Sequence, residues 1–280
     1  MGAIKIVGVD TQVLRFLLES KSSGVSFNTT LMIGRQNYYL LTPKDLHRAL
    51  RRAGFRLSEA DSLKLFHKGG KFIEPLLRFL GAQRVESLDH SSYQGATIIH
   101  DLNQPVPAPL KGAFSCVFDG GTIEHVFDFR RAIRNCMEMV AVGGYFLEVT
   151  TANNFMGHGF YQFSPELYYR VFSQQNGYIV EDMLLCETDP RSKWRRVADP
   201  QALGQRVELV NRRPTYLIVK ARRTHLVEIF RTLPQQSDYV SLWSYELGNS
   251  VSQSSQPGPR GEKEKTSRRK RTPHLLARPL

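Results

Sequence analysis

Short apolar runs alternate with amphipathic stretches from about residue 28 to residue 220, and this alternation constrains the fold more than any other feature of the chain. It is typical of βα units, in which consecutive strands pair in parallel and helices cover the sheet. The candidate strands are residues 29–34, 84–88, 96–100, 114–118, 145–150, 178–186 and 215–221. We therefore predict an α/β, Rossmann-like fold with a mostly parallel sheet and helices on both faces.

Helix boundaries between these strands are marked by proline and glycine. Thr42-Pro43 and Ser164-Pro165 each place a capping hydroxyl before a proline at the first helical position. Apolar residues at helical spacing predict another helix over residues 129–140, which we expect Gly143-Gly144 to separate from the next strand. A helix over residues 74–80 is expected to end at Gly81.

Composition divides the chain into three predicted parts: an N-terminal extension over residues 1–27, a folded domain over residues 28–249, and a disordered basic tail over residues 250–280. The tail carries eight Lys/Arg and two Asp/Glu, half of the net charge of +12. We expect any contact with nucleic acid or another anionic partner to involve this tail only. Three widely spaced cysteines, no signal peptide and no membrane span indicate a cytoplasmic protein.

Carboxylates follow three consecutive predicted strands: Asp89, Asp101 and Asp119. In an open parallel sheet, ligands bind beyond the carboxyl ends of the strands, near the point where the strand order reverses. An acid in such a position can accept hydrogen bonds from ribose hydroxyls. Each Asp can instead cap a helix or turn, although three in register favour a ligand site.

The segment FDGGTIEHVFDFRRAIRNCMEMVAVGGYFLEVTTANN resembles the fourth-strand to fifth-strand region of class I methyltransferases, especially a bacterial-type member of the small-molecule group called type 11. The segments VESLDHSSYQGATIIHDLNQPVP and FSPELYYRVFSQQNGYIVEDM are similar to other parts of the same family, in the same order. The resemblance implies a seven-stranded sheet with an antiparallel final strand. It also implies S-adenosylmethionine as cofactor and a small metabolite or glycan precursor as methyl acceptor.

Carried over position by position, the resemblance places Asp89, followed by His90, at the cofactor ribose. Asp101, Leu102 and Asn103 would frame the adenine. Asp119, Gly120, Gly121 and Glu124 would lie beside the sulfonium and the acceptor, with His125 at the edge of the pocket.

The loop after the first strand departs from the family pattern. The family has several glycines there, whereas this chain has Gly34 followed by Arg35 and Gln36. Arg35 can replace the missing backbone donors by pairing with the cofactor carboxylate, since its guanidinium offers a matched fork. Alternatively, the bulk of Arg35 and Gln36 blocks the site and leaves a non-catalytic binding or regulatory protein. We favour the first alternative.

A second loop, NNFMGHGFYQFSPE, follows the fifth predicted strand and should lie at the same edge of the sheet. Its His158, flanked by Gly157 and Gly159, is a candidate general base for the acceptor proton, with Glu124 and His125 as further catalytic candidates. A loop histidine bonded only to backbone is an equally acceptable interpretation. Methyl transfer depends mainly on alignment and does not always need a base.

Two other enzyme classes fit the sequence poorly. A nicotinamide dehydrogenase needs a G-x-G-x-x-G turn, which is absent from the sequence. A metal hydrolase could use Asp89, His90, His100 and Asp101, but sequence neighbours on a strand point to opposite faces, so we predict no metal site. Tyr161, Phe163, Tyr168 and Trp194 are candidate pocket-lining aromatics, although such residues more often belong to the core.

Overall fold

The computed structural model describes residues 8–68 and 71–243. The helices are α1 (Thr11–Ser22), α2 (Pro43–Arg52), α3 (Glu59–Lys68), α4 (Glu74–Phe79), α5 (Phe129–Met139), α6 (Pro165–Val171) and α7 (Pro200–Leu203). The strands are β1 (Thr29–Ile33), β2 (Arg84–Asp89), β3 (Ile98–Ile99), β4 (Phe114–Asp119), β5 (Val140–Asn153), β6 (Tyr178–Glu187), β7 (Arg195–Arg196) and β8 (Thr215–Arg223). The predicted basic tail lies outside the described residues.

All the strands belong to one sheet, in the order β3-β2-β1-β4-β5-β8-β6-β7. The first five of these pair in parallel, whereas β8 lies antiparallel between β5 and β6. The predicted α/β class, the mostly parallel sheet and the antiparallel final strand are therefore confirmed. The described sheet has one strand more than the predicted seven, because the two residues of β7 pair with β6.

Two local predictions need correction. The stretch between β1 and β2 contains three helices, since α3 was not predicted. Gly143 and Gly144 do not separate a helix from a strand, because α5 ends at Met139 and β5 begins at Val140. Gly144 instead lies inside β5, where an added Cβ would come within 2.8 Å of the Ser115 carbonyl oxygen, at an irregularity in the pairing with β4. Glycine in a strand often marks such a close backbone approach.

Alternating side chains of the sheet enter two separate apolar cores, which makes the fold three-layered. Met32 of β1 and Leu147 of β5 lie in one core with residues of α1, α2 and α4. Leu31 and Phe146, their neighbours along the chain, lie in the other core with α5 and α6. This period of two explains why the central strands read as continuous apolar runs.

The N-terminal helix α1 belongs to the first of these cores. Its Leu14 and Leu17 are fully buried, and Asp10 caps the helix by accepting from the backbone amides of Gln12 and Val13. The Gln12 side chain accepts a hydrogen bond of 2.8 Å from the indole of Trp194, which is itself buried. Part of the predicted N-terminal extension is thus packed against the sheet.

No helix in the described part of the chain is long and apolar enough to cross a membrane.

Candidate functional site

The site predicted from the sequence falls at one edge of the sheet. β1, β2, β4 and β5 run parallel, so that the segments following Ile33, Asp89, Asp119 and Asn153 all emerge on the same side. Strand β1 lies between β2 and β4. From β1 the sheet continues through β2 to β3 on one side and through β4 to β5 on the other, so the order of the strands reverses at β1. This is the topological switch point at which open α/β sheets bind ligands.

The turn after β1 is fixed by close packing against the turn after β4. Gly34 has a φ of +67°, and a Cβ at this position would lie 2.8 Å from the Thr122 hydroxyl oxygen. That hydroxyl donates a hydrogen bond of 2.9 Å to the Ile33 carbonyl. The need for glycine at this position therefore has a local cause, and Gly34 does not by itself indicate a bound cofactor.

Gln36 occupies the space between the ends of β1 and β4. Its side chain is 1% exposed, and Nε2 donates to the Ile33 carbonyl at 2.8 Å. Oε1 is buried without a hydrogen-bond partner. A Cβ on Gly120 would lie 2.6 Å from Oε1, so Gly120 leaves room for this amide. An unpaired acceptor therefore lies where the family resemblance puts the methionine part of the cofactor.

Arg35 is already engaged within the protein. Its Nε donates to Glu74 Oε1 at 2.6 Å, its Nη1 donates to the Gln94 carbonyl at 2.8 Å, and its guanidinium lies 3.9 Å from the Phe72 ring centroid. These contacts hold the loops after β1 and β2 together. They occupy the guanidinium nitrogens that were expected to bind the cofactor carboxylate. In the structure, Arg35 therefore connects the two loops.

The predicted ribose and adenine residues come together at the ends of β2 and β3. Asp89 is partly exposed, and among the described residues its carboxylate accepts only one hydrogen bond, a long one of 3.4 Å from the Ser91 amide. His90 Nδ1 lies 3.9 Å from Asp101 Oδ1. A carboxylate with spare acceptor capacity is what a ribose diol requires.

Asp101 and Asn103 form a turn of their own. Asp101 Oδ1 accepts from the Asn103 backbone at 2.9 Å and from its side-chain amide at 2.7 Å, and these bonds lower the pKa of Asp101. Asn103 Oδ1 accepts from the Asp128 amide at 3.0 Å. Leu102 is buried in the core. Asn103 therefore connects the predicted adenine segment to the start of α5.

Asp119 caps the turn that carries the predicted catalytic residues. Its two carboxylate oxygens accept from the backbone amides of Thr122 and Ile123 at 2.9 and 3.1 Å. The pKa of Asp119 is raised to about 8. The larger cause is its complete burial, and the next is the charge of the neighbouring Glu124. Gly121 takes a φ of +95° in this turn. The capping interpretation of Asp119 is thus realised, and its carboxylate is inaccessible.

The three predicted catalytic residues lie together at this turn. Glu124 Oε1 is 3.6 Å from His158 Nε2, and the rings of His125 and His158 have centroids 4.8 Å apart. One ligand-capable atom from each residue falls within 4.8 Å of the others. Glu124 is fully buried, His158 is nearly so, and burial lowers the pKa of His125. The sequence predicted these residues one by one, and the fold unites them.

Backbone contacts bring His158 to Glu124. The amides of Phe160 and Tyr161 both donate to the Glu124 carbonyl, at 2.9 and 3.3 Å. A Cβ on Gly159 would lie 2.8 Å from that carbonyl oxygen. The glycines around His158 were expected to let the loop bend around a ligand, whereas Gly159 lets the loop lie directly against the turn after β4.

Glu148 is a buried acid that we did not single out in the sequence. It is the register partner of Asp119 on β5 and is fully buried. Tyr168 donates to its Oε1 at 2.5 Å, while Oε2 has no partner. Burial is the largest cause, and the charge of Asp119 the next, of a pKa of Glu148 well above its usual range. The signal available in the sequence is a lone acid inside the apolar strand YFLEVT.

The predicted pocket aromatics are mostly core residues. Trp194 lies in the core that contains α1, and Tyr168 and Phe163 lie buried in the core on the other side of the sheet. Tyr161 is partly exposed and donates to the Phe127 carbonyl at 2.6 Å. Exposed aromatic surface at the site comes instead from Phe127 and Phe160, whose rings meet edge to face at 5.8 Å.

Two of the larger cavities lie away from this edge. One of about 490 Å³ lies between β6 and the segment around Val210, and one of about 460 Å³ lies along α2 beside Arg48 and Arg52. Neither is lined by the residues described above. These two cavities are therefore separate from the candidate site.

No protein-family model matches the sequence, and no curated protein matches it either. Solved structures do share similarity. One is a branched-chain polyamine synthase variant from Thermus thermophilus, in complex with N4-aminopropylspermidine and 5'-methylthioadenosine. It has 13% sequence identity over 85% of this chain and 64% of its own, with a TM-score of 0.42. The chain thus spans less than two thirds of the length of that synthase.

Two further similar structures are methyltransferases. A geranyl diphosphate methyltransferase in complex with S-adenosylmethionine has 14% identity over 76% of this chain and 85% of its own, with a TM-score of 0.37. An S-adenosylmethionine-dependent methyltransferase from Thermotoga maritima has 11% identity over 75% of this chain and 88% of its own, with a TM-score of 0.34. The fold is Rossmann-like, with the strand order described above. Similarity this low transfers no activity, cofactor or substrate to the chain.

The residues present fit S-adenosylmethionine in two places. Gln36 Oε1 is a buried acceptor that lacks a donor, and the amino group of the methionine part would supply one. Asp89 offers a partly exposed carboxylate for the ribose hydroxyls. Arg35 would have to leave Glu74 to bind the cofactor carboxylate.

Proposed function

We propose that the chain is an S-adenosylmethionine-dependent methyltransferase acting on a small-molecule acceptor. The observation that carries the proposal is the unpaired Gln36 Oε1, held beside Gly120 at the switch point of the sheet. A buried acceptor without a partner costs stability, and a cationic ligand removes that cost. The proposed site combines it with the carboxylate of Asp89.

The cofactor residues divide by the part of the ligand they would hold. Asp89, with His90 beside it, would accept from the ribose hydroxyls, and Asp101-Leu102-Asn103 would border the adenine. Gln36, with Gly34, Gly120 and Gly121, would border the methionine part. Asp119 would act only as a positioning residue, since both its oxygens are bonded to the turn.

In the proposed mechanism, the chain mainly aligns acceptor and cofactor. The bound cofactor supplies an electrophilic methyl group on a sulfonium. Alignment of the acceptor with that methyl group supplies much of the rate enhancement, because it converts a bimolecular step into an effectively unimolecular one. The group formed by Glu124, His125 and His158 would assist the loss of the acceptor proton. Glu124 is held for this role by a hydrogen bond of 3.1 Å from Thr150.

The proposed acceptor has an apolar part. Phe127 is 73% exposed and Phe160 is 65% exposed, and each follows one of the two histidines by two residues. Exposed aromatic rings next to buried polar groups are typical of small-molecule sites, in which apolar walls bind and a few polar groups orient the ligand. A cytoplasmic location remains a prediction of the sequence.

A non-catalytic binding protein is the second candidate function. It is favoured by the Arg35–Glu74 ion pair in the loop after β1, which has a single glycine. Because the guanidinium is already paired with Glu74, it does not replace the missing backbone donors. In that case the edge would hold a ligand without transferring a methyl group. Cofactor turnover separates the two candidates.

The test is formation of S-adenosylhomocysteine by the full chain from S-adenosylmethionine, with a cell extract divided by ultrafiltration. The proposal expects product with the small-molecule fraction. Product with the macromolecular fraction alone would overturn the proposed acceptor class. Cofactor binding without product in either fraction would favour the binding protein, and neither binding nor product would refute both the cofactor and the reaction.

A further inference from the structure

The cluster of Glu124, His125 and His158 has the composition and spacing of a metal site. Glu124 Oε1 and His158 Nε2 are 3.6 Å apart, which is close to the separation of two ligand atoms that share one ion at about 2.0–2.2 Å each. A ring nitrogen of His125 falls within 4.8 Å of both. The ligand atoms come from two separate segments, the turn after β4 and the loop after β5.

Two of these ligand atoms are buried and unpaired. Glu124 is 1% exposed, and its Oε1 has no hydrogen-bond partner although Oε2 accepts from Thr150. His158 Nε2 is likewise buried without a partner. Buried polar atoms are nearly always satisfied, so two facing orphans point to a missing partner that binds both. When His158 Nε2 is unprotonated, this nitrogen and the carboxylate oxygen each offer a lone pair, and one cation between them would satisfy both.

The surrounding charge favours a cation as well. Asp119, Glu124 and Glu148 are all at most 1% exposed. Within residues 8–68 and 71–243, none of these three acids forms an ion pair with lysine or arginine, and the basic groups beside Glu124 are the imidazoles of His125 and His158. Concentrated buried acids without compensation are costly, and a divalent ion would offset that cost.

We infer that Glu124, His125 and His158 bind one divalent transition-metal ion, with Zn²⁺ as the first candidate. One carboxylate and two imidazoles form the ligand set of catalytic zinc sites, which keep a further position open. The same ligand set also suits Mn²⁺ or Fe²⁺, whereas Mg²⁺ and Ca²⁺ prefer oxygen ligands. His125 is exposed, which leaves one side of the cluster accessible.

The role of the ion rests on the proposed function, although the site itself does not. An open position beside the cofactor would bind an acceptor through oxygen, which narrows the acceptor class to hydroxyl compounds. The ion would lower the pKa of that hydroxyl, so that its proton leaves to water. The new C–O bond then forms as the S–CH₃ bond breaks, giving S-adenosylhomocysteine.

Zinc titration of the full, chelator-treated chain by calorimetry tests the site directly. We expect one Zn²⁺ per chain and a visible absorption band when Co²⁺ replaces it. The Glu124→Gln, His125→Gln and His158→Gln variants should each bind zinc at least about tenfold more weakly, since even indirect supporting residues cost 10- to 100-fold. His225→Gln, at an exposed histidine, is the matched control and should bind as the wild type does.

Folding is monitored in the same samples by thermal unfolding without metal. Zinc should raise the midpoint of the wild type and of His225→Gln only. Weak zinc binding that is equal in all variants would overturn the site, as would stoichiometric binding that survives His158→Gln. A parallel S-adenosylhomocysteine titration separates the proposals: metal binding without cofactor binding would support the site and contradict the methyltransferase.

Discussion

Asp119 and Glu148 are register partners on neighbouring parallel strands, and both side chains are completely buried. The two carboxyl groups cannot both ionise at low cost in this environment, because burial raises the pKa of each. At least one proton is therefore retained at neutral pH in the absence of a bound cation. That retained proton makes stability depend on pH.

We predict that this acid cluster makes the metal-free chain less stable as pH rises from about 5 to about 8. The unfolded chain releases these protons near pH 4, while burial raises the pKa of Asp119 to about 8. The native state thus holds more protons in this window, and the free energy of unfolding falls with pH, by at most about 1.4 kcal/mol per pH unit and proton. Urea denaturation in EDTA at several pH values measures the slope.

The Asp119→Asn and Glu148→Gln variants isolate this contribution. Each should flatten the slope relative to the wild type, since the amide does not titrate. Asp61→Asn, on the surface of α3, should leave it unchanged. An identical pH slope in wild type and both buried variants would show that the cluster is not protonated.

Replacing Gln36 tests whether its orphan oxygen receives the cofactor. Gln36→Leu keeps the bulk and removes the acceptor, and the Ile33 carbonyl retains its bond from Thr122. We expect S-adenosylmethionine affinity to fall about tenfold or more, because a hydrogen bond to a charged group contributes about 1.5–3 kcal/mol. Calorimetry measures it, with Gln205→Leu, at an exposed glutamine, as control. Tighter binding by Gln36→Ala would show that Gln36 obstructs the site.

The Arg35–Glu74 pair is expected to act on stability and not through direct contact with the cofactor. Both side chains are about a quarter exposed, at 27% and 21%. A double-mutant cycle with Arg35→Met and Glu74→Gln should give a coupling of about 1 kcal/mol in unfolding free energy. Additive effects, together with loss of cofactor binding in Arg35→Met alone, would restore the carboxylate-pairing role.

Removal of the Gln12 side chain should loosen α1. Gln12→Ala leaves the buried indole N–H of Trp194 without its acceptor and frees the Asp189 carbonyl. We expect a loss of about 1–3 kcal/mol in unfolding free energy. Urea denaturation monitored by tryptophan fluorescence measures this loss. Gln174→Ala, at an exposed position, serves as control. A loss equal to that of the control would mean that α1 contributes little to the core.

Much of the fold was predictable because strand ends and caps are local signals. Arg84 to Asp89 forms the predicted strand, and Thr42 and Ser164 cap helices whose first residue is proline. α3 escaped prediction, since its Glu59–Lys68 segment carries a weak apolar periodicity. The pairing of Glu148 with Asp119 depends on strand register, which no local pattern determines.

The site was predicted as residue types and not as an arrangement. The family resemblance indicates Glu124 and His125, and the chemistry of histidine indicates His158, but their convergence depends on the Glu124 carbonyl accepting two amides from the loop after β5. The sequence predicts that the Arg35 guanidinium pairs with the cofactor carboxylate, but Glu74, far away in sequence, is brought by the fold to 2.6 Å from Arg35. Long-range pairing of side chains is what a single sequence leaves open.

The most direct test of the central claim is calorimetric titration of the full chain with S-adenosylhomocysteine, comparing wild type, Asp89→Ala and the surface control Asp61→Ala. We expect saturable binding by wild type and control, and an affinity about tenfold or more lower in Asp89→Ala, because the ribose would lose hydrogen bonds to a charged group. Binding that Asp89→Ala leaves unchanged, or no binding by the wild type, would contradict a cofactor site at this edge of the sheet.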